Sequence, residues 1–160
     1  AAKVIMVGRR SRLEASKHLG ADETVDFEKV DPVTAVRELT DGRGVDEVFE
    51  CSGAAGTLTQ AINMVKKGGK VSLLGVPGAD VREPVPFKHI VHDEILITGS
   101  RADPNTMWRA IGMIGAGELD VKDLITHSFP IESYAEALDV FVNRKDGAVK
   151  VIIEPNGKEA

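Results

Sequence analysis

Short apolar segments alternate with segments of helical periodicity along most of this 160-residue chain. The apolar segments have the length of strands, and turn residues separate them from the segments that follow. We assign five of them before residue 100, at residues 4–7, 24–27, 45–51, 70–76 and 94–98. This alternation predicts an α/β fold with a mostly parallel sheet covered by helices.

Two of the intervening helices have clear sequence signals. Asp31-Pro32 combines a capping carboxylate with a proline suited to the first helical position. A later stretch carries an apolar stripe at positions i, i+3, i+4 and i+7, and Gly68-Gly69 is predicted to end that helix. The stripe consists of Leu58, Ala61, Ile62 and Val65.

The pattern changes after Gly117. Residues 118–126 are short and mixed, and an amphipathic helix is then indicated by Tyr134, Leu138 and Phe141. A final strand is predicted at residues 149–153. We therefore place a domain boundary between residues 117 and 118.

Net charge, cysteine content and the length of apolar runs argue against nucleic-acid-binding, disulfide-bonded and membrane-spanning proteins. The formal net charge of -5 argues against a nucleic-acid-binding or acidic-membrane-binding surface. Cys51 is the only cysteine, so an intrachain disulfide cannot form, and a reduced, cytoplasmic setting is predicted. No apolar run approaches the length of a membrane span.

Candidate binding residues follow four of the predicted strands. In open α/β sheets, ligands bind beyond the carboxyl ends of the strands. Glycines at these ends could let a flat or anionic ligand approach the backbone, or they could simply end the strands. The four turns are Gly8-Arg9-Arg10, Cys51-Ser52-Gly53, Leu74-Gly75-Val76-Pro77 and Gly99-Ser100-Arg101.

Several ordered motifs resemble the medium-chain dehydrogenase superfamily, and its polyol and threonine dehydrogenase branch most closely. They are residues 45–53 (VDEVFECSG), residues 67–71 (KGGKV), residues 74–77 (LGVP), residues 126–131 (THSFPI) and residues 147–153 (GAVKVII). The resemblance implies a Rossmann-type doubly wound parallel sheet that lacks its first strand and glycine fingerprint. Residues 1–117 would form this incomplete dinucleotide-binding domain, and residues 118–160 would return to the catalytic domain.

The turn Gly8-Arg9-Arg10 bears on coenzyme choice. NAD-preferring relatives place an acidic residue at this strand end to bind the ribose hydroxyls, whereas arginines suit the 2′-phosphate of NADP. Here Glu14 is the first acidic residue after the strand. We therefore predict NADP, with NAD as the alternative, while the two arginines could also be ordinary solvated side chains.

The resemblance assigns further coenzyme contacts. Cys51 is predicted to be a small buried residue beside the coenzyme, and Lys150 to reach the pyrophosphate. Contacts near the nicotinamide half would be Leu74, Gly75, Val76, Ser100 and Arg101, and Ser52 and Gly53 would contact the coenzyme in the same turn as Cys51. Residues 74–76 could instead be plain core strand, and Arg101 and Lys150 could be ordinary solvated side chains. No residue of the chain is predicted to be catalytic or to bind a metal, and His89 and His92 are interpreted as part of a polar loop.

These features predict the coenzyme-binding part of an oxidoreductase that acts on a small alcohol, polyol or carbonyl substrate. The resemblance implies a catalytic zinc whose ligands lie outside this chain. Two alternatives remain, a zinc-free quinone reductase and a non-catalytic dinucleotide-binding module. The parent is expected to be a homodimer or homotetramer, and the 160 residues alone are expected to bind dinucleotide weakly and to catalyse nothing.

Overall fold

The computed structural model describes residues 3–101 and 105–157, in which strands and helices alternate as predicted. The strands are β1 (Ile5–Gly8), β2 (Glu23–Asp26), β3 (Val45–Glu50), β4 (Val65–Leu73), β5 (Leu96–Gly99), β6 (Ile125–Pro130) and β7 (Lys150–Glu154). The α-helices are α1 (Ser11–His18), α2 (Pro32–Glu38), α3 (Thr57–Met64), α4 (Phe87–His92), α5 (Met107–Gly115) and α6 (Tyr134–Asn143).

In the part of the chain that the structure describes, the strands form three sheets, and every strand pair is parallel. The sheet orders are β1-β2, β3-β4-β5 and β6-β7. Parallel strands joined by helices confirm the predicted α/β class. None of the helices within residues 3–101 and 105–157 combines the length and apolarity needed to cross a membrane.

The chain divides into two compact units, each with its own buried residues. The first unit comprises Ala1–Glu28 and Trp108–Ala160, and the second comprises Lys29–Met107. In the second unit Ala61, Ile62, Val65, Val71 and Ile95 form the hydrophobic core. The domain boundary placed after residue 117 remains a prediction.

Helix α2 begins where the sequence signal predicts. The Asp31 side chain accepts a hydrogen bond from the backbone amide of Thr34 at 2.8 Å, and Pro32 is the first helical residue. The hydrogen bonds that Asp31 accepts from the backbone amide and the hydroxyl of Thr34 lower the pKa of the Asp31 carboxyl. Arg37, near the other end of α2, donates to the carbonyl oxygens of Asn63 and Val65 at 2.9 and 3.1 Å.

Helix α3 is shorter than predicted, since it ends at Met64 and not at Gly68-Gly69. Val65 is extended, starts β4 and pairs with Val45 of β3. Its side chain is fully buried. The pattern of apolar residues cannot distinguish the last position of a buried helix face from the first position of a buried strand.

One α-helix and one β-strand of the described residues lie where neither was predicted. Residues 87–92, interpreted as part of a polar loop, form helix α4, and His89 contacts the Asp93 carboxylate at 2.6 Å. Residues 125–130 form β6, which pairs with β7. Both segments are short, and their helical or extended state depends on the neighbouring element that covers them.

The turn between α2 and β3 contains two glycines with different constraints. Both have positive φ, +77° at Gly42 and +86° at Gly44. A Cβ at Gly44 would lie 2.5 Å from the Met64 carbonyl oxygen and 2.9 Å from the Lys66 nitrogen, whereas a Cβ at Gly42 would meet nothing within 4 Å. Position 44 therefore requires a glycine, because the backbone of the α3–β4 junction lies too close to it to leave room for a Cβ.

We expect Gly44→Ala to lower the free energy of unfolding by about 3 kcal/mol or more, because overpacking adds to backbone strain. Gly42→Ala is the matched control and carries only the backbone strain, about 1–2 kcal/mol. Urea unfolding of both variants measures the difference. Equal losses would show that the close approach to Met64 does not constrain position 44.

Candidate functional site

The predicted arginine turn lies at the carboxyl end of β1. Gly8 is buried at the last position of the strand, and Arg9 and Arg10 follow with side chains 48% and 69% exposed. Arg10 immediately precedes α1 and has φ +53°, which is unusual for a residue other than glycine. The two guanidinium groups are thus presented together at one strand end.

A carboxylate that the sequence analysis did not assign binds both guanidinium groups. Oε1 of Glu28 accepts from Nη1 of Arg9 at 3.0 Å and from Nη2 of Arg10 at 3.3 Å, and its Oε2 accepts from Nε of Arg10 at 3.4 Å. The hydrogen bond from Arg9, supported by those from Arg10, lowers the pKa of the Glu28 carboxyl. Glu28 is therefore ionised at neutral pH.

The signal that could have found Glu28 is strand register. β1 and β2 are parallel neighbours, and Gly8 pairs with Asp26. The residues just beyond these two positions must therefore lie at the same edge of the sheet. The Arg9 guanidinium also lies 5.8 Å from the centroid of the Phe27 ring, next to Glu28 in the chain.

Two further arginines add positive charge to this part of the first unit. Burial lowers the pKa of Arg12, and the charges of Arg144 and Arg9 lower it further, which indicates that the three guanidinium groups repel one another. Arg144 stacks on the Phe141 ring at 4.5 Å. We refer to Arg9, Arg10, Arg12 and Arg144 as the arginine cluster.

Lys150 also belongs to the first unit. It is exposed and is the first residue of β7, and its carbonyl oxygen accepts from the Thr126 hydroxyl at 3.1 Å. Its ammonium group makes no ion pair within the described residues. Its predicted contact with a pyrophosphate remains a prediction.

In the second unit, Glu50 organises the turn that follows β3. Its side chain is only 8% exposed. Oε1 accepts from the Ser52 amide at 2.8 Å, the Ser52 hydroxyl at 2.6 Å and the Gly53 amide at 3.0 Å. Burial raises the pKa of Glu50, but these hydrogen bonds lower it by more, so its pKa lies below the ordinary value.

Glu50 also fixes the turn after β4. Its carbonyl oxygen accepts from the amides of Leu74 and Gly75 at 2.8 and 2.9 Å. A Cβ on Gly75 would collide with the Gly53 nitrogen, and a Cβ on Gly53 would lie 2.6 Å from the Val76 carbonyl. Gly53 and Gly75 therefore let the two turns pack against each other, and we call residues 51–53 and 74–77 the strand-end loops.

The end of β5 joins the same edge of the sheet. The Ser100 amide donates to the Leu73 carbonyl oxygen at 2.9 Å. Leu74 and Val76 expose apolar side chains beside this contact, with Val76 85% exposed. Arg101 is exposed and is the last residue that the structure describes before residue 105. The predicted residues of the second unit thus lie together at the carboxyl ends of β3, β4 and β5.

Cys51 corrects one prediction, because it is exposed and not buried. Successive residues of an extended chain point to opposite faces, and the preceding Glu50 takes the buried side. Partial burial of the thiol and the adjacent Glu50 carboxylate raise the pKa of Cys51. This thiol is therefore protonated at neutral pH and is not an activated nucleophile.

The architecture and the position of these residues define an α/β protein with candidate sites at the carboxyl ends of parallel strands. The family model for zinc-binding dehydrogenases matches residues 1–114. The chain belongs to the zinc-binding dehydrogenase family, which confirms the resemblance inferred from its motifs.

Similar proteins span most of the chain. The alcohol dehydrogenase of Cupriavidus necator is 34% identical over 151 residues, which cover 93% of this chain and 41% of that protein. The sorbitol dehydrogenase of Bacillus subtilis (strain 168) is 32% identical over 146 residues, which cover 91% of this chain and 41% of that protein. The structure of a Sinorhizobium meliloti 1021 protein with bound NADP superposes with a TM-score of 0.88 at 30% sequence identity. The match covers 97% of this chain and 46% of the Sinorhizobium meliloti chain. The chain spans less than half the length of these relatives.

We expect Glu50→Gln to lower the free energy of unfolding by about 1–3 kcal/mol, because an amide cannot accept all the hydrogen bonds that the carboxylate accepts. The wild-type advantage should be full above the ordinary glutamate pKa of about 4.3 and should disappear as the pH falls through the lower folded-state pKa.

Urea unfolding between pH 3 and pH 7 measures this advantage. Asp46→Asn is the control on the same strand, since Asp46 is exposed and its ion pair with Lys66 contributes little. An advantage over Glu50→Gln that persisted unchanged at the lowest pH would contradict a stabilising role of the ionised carboxylate.

Proposed function

We propose that this chain is the coenzyme-binding part of an oxidoreductase that transfers a hydride between NADP and an alcohol, polyol or carbonyl substrate. The observation that carries the proposal is the pair of exposed guanidinium groups, Arg9 and Arg10, at the carboxyl end of β1. NAD is the alternative coenzyme. The family and the alcohol and sorbitol dehydrogenases among the relatives support the substrate class.

Arg9 and Arg10 would bind the 2′-phosphate of NADP. Each guanidinium has five N–H donors, and planar pairs of donors match phosphate oxygens in charge and geometry. Gly8 leaves no carboxylate of its own at the last position of β1. The NADP bound in the Sinorhizobium meliloti relative supports the same coenzyme for this chain.

The strand-end loops would bind the nicotinamide half. The exposed side chains of Leu74 and Val76 offer apolar contact to a flat ring, and the backbone of Ser52, Gly53 and Gly75 is held in place by Glu50. Cys51, Ser100 and Arg101 would border this ring, and Lys150 would bind the pyrophosphate. The bound coenzyme supplies the site that accepts or donates the hydride.

We propose that the catalytic zinc of the parent enzyme is bound by residues outside this chain. Among residues 3–101 and 105–157, no group of three or more histidine, cysteine, aspartate and glutamate side chains is placed to hold a metal ion. The described residues therefore do not fit a zinc centre. The roles proposed for this chain are to bind and orient the coenzyme.

We expect the protein that carries this chain to have a higher kcat/KM with NADP than with NAD. Replacing both Arg9 and Arg10 by Gln should lower the NADP-to-NAD ratio of kcat/KM about tenfold or more, because charge-assisted hydrogen bonds to the phosphate are lost. The assay uses simple alcohols, sorbitol and L-threonine as substrates. Arg109→Gln, an exposed arginine of α5, is the control and should leave the ratio unchanged.

A clear wild-type preference for NAD would contradict the coenzyme assignment. Activity with quinones and no activity with alcohols would favour the quinone reductase alternative, and coenzyme binding without any turnover would favour the non-catalytic module.

We also propose that the protein is a homodimer or homotetramer that associates through the α4–β5 region. Within the described residues β5 pairs only with β4, so its other edge is open. Apolar side chains are exposed on both elements, with Phe87 of α4 73% and Leu96 of β5 59% exposed. An open depression of about 440 Å³ at α4 is lined by Pro86, Phe87, Lys88, His89 and His92.

Sedimentation at micromolar concentration is expected to give a dimer or tetramer. Leu96→Lys should shift the protein toward monomer by placing a charge at the open edge, whereas Val30→Lys, at another exposed apolar position, should not. A monomeric wild-type protein would rule out the association.

A further inference from the structure

We propose that Glu28 is a specificity-determining residue that weakens the preference for NADP and permits the use of NAD. It does so as a counter-ion of Arg9 and Arg10 in the turn that follows the neighbouring strand β2. The inference rests on the proposed binding of the 2′-phosphate at these arginines.

The geometry places Glu28 between the two groups that would bind the phosphate. Its carboxylate takes three hydrogen bonds, one from Arg9 and two from Arg10. The two guanidinium groups have ten N–H donors between them, and Glu28 accepts from only three of these. A 2′-phosphate can therefore bind beside Glu28 without displacing it.

A phosphate bound there would lie close to a like charge. Glu28 is held in its ionised form by the same arginines. Its single negative charge offsets one of the two positive charges of Arg9 and Arg10. At separations of about 5–7 Å near an exposed surface, repulsion between the carboxylate and a dianion is expected to weaken binding about three- to tenfold.

The same carboxylate favours an unphosphorylated ribose. In dinucleotide-binding folds an acidic side chain accepts hydrogen bonds from the ribose hydroxyls of NAD. The end of β1 provides no such acid, since Gly8, Arg9 and Arg10 follow one another there. Glu28 brings a carboxylate to this edge from the turn after β2, because Gly8 and Asp26 are paired in register.

Glu14 provides a matched control. It is also an exposed carboxylate of the first unit, it pairs with Lys17 at 3.0 Å, and it makes no hydrogen bond or ion pair with the arginine cluster among the described residues. Glu14→Gln and Glu28→Gln remove the same charge. A difference between the two variants therefore reports the local effect at Arg9 and Arg10.

The test measures dissociation constants of 5′-AMP and adenosine 2′,5′-bisphosphate by calorimetry, on the full protein that carries this chain. Glu28→Gln should raise the ratio Kd(5′-AMP)/Kd(2′,5′-bisphosphate) about three- to tenfold. Glu28→Ala should change it in the same direction, and Glu14→Gln should leave it within about twofold of wild type. In the kcat/KM assay the two Glu28 variants should also lose activity with NAD.

Two outcomes overturn the inference, and they are distinguishable. If wild type favours the 2′-phosphate but Glu28→Gln leaves the ratio unchanged or lowers it, Glu28 does not oppose the phosphate, and the proposed function stands. If wild type and the Arg9/Arg10 double variant bind both nucleotides equally, the arginines do not recognise the 2′-phosphate, and the coenzyme proposal fails together with the inference.

Discussion

Parallel pairing brings the carboxyl ends of neighbouring strands to the same edge of a sheet, and both candidate sites depend on this constraint. In the first unit, the pairing of Gly8 with Asp26 places Arg9 and Arg10 beside Glu28. In the second unit, the pairing of Glu50 with Leu73 places Ser52 and Gly53 against Gly75. Residues distant in sequence thus meet because their strands end together.

Two carboxylates act at these strand ends in different environments. Glu50 is buried and is satisfied mainly by backbone amides, so it fixes the conformation of the strand-end loops. Glu28 is more exposed and is bound by two guanidinium groups through only three of their ten N–H donors. A buried carboxylate satisfied mainly by backbone amides serves structure, whereas an exposed one among cations can alter what those cations bind.

Much of the fold could be predicted because helix and strand signals are local. The start of α2 at Asp31-Pro32 needs only one side chain and its own backbone. The end of α3 could not be predicted, because Val65 is apolar and buried in either conformation and only its pairing with Val45 makes it a strand residue. The strand β6 was missed for the same reason, since its extended state depends on β7.

The sequence by itself determined the family, the α/β class with parallel strands, and the residues at the strand ends, because ordered motifs and hydrophobic periodicity are properties of neighbouring residues. Only the tertiary structure decided the partners of those residues. In the tertiary structure Cys51 is exposed, and Gly53 and Gly75 lie where the strand-end loops contact each other. Arg9 and Arg10 both bind Glu28. The physical reason is that side-chain burial and ion pairing depend on strand register, which is set by pairing between segments far apart in the chain.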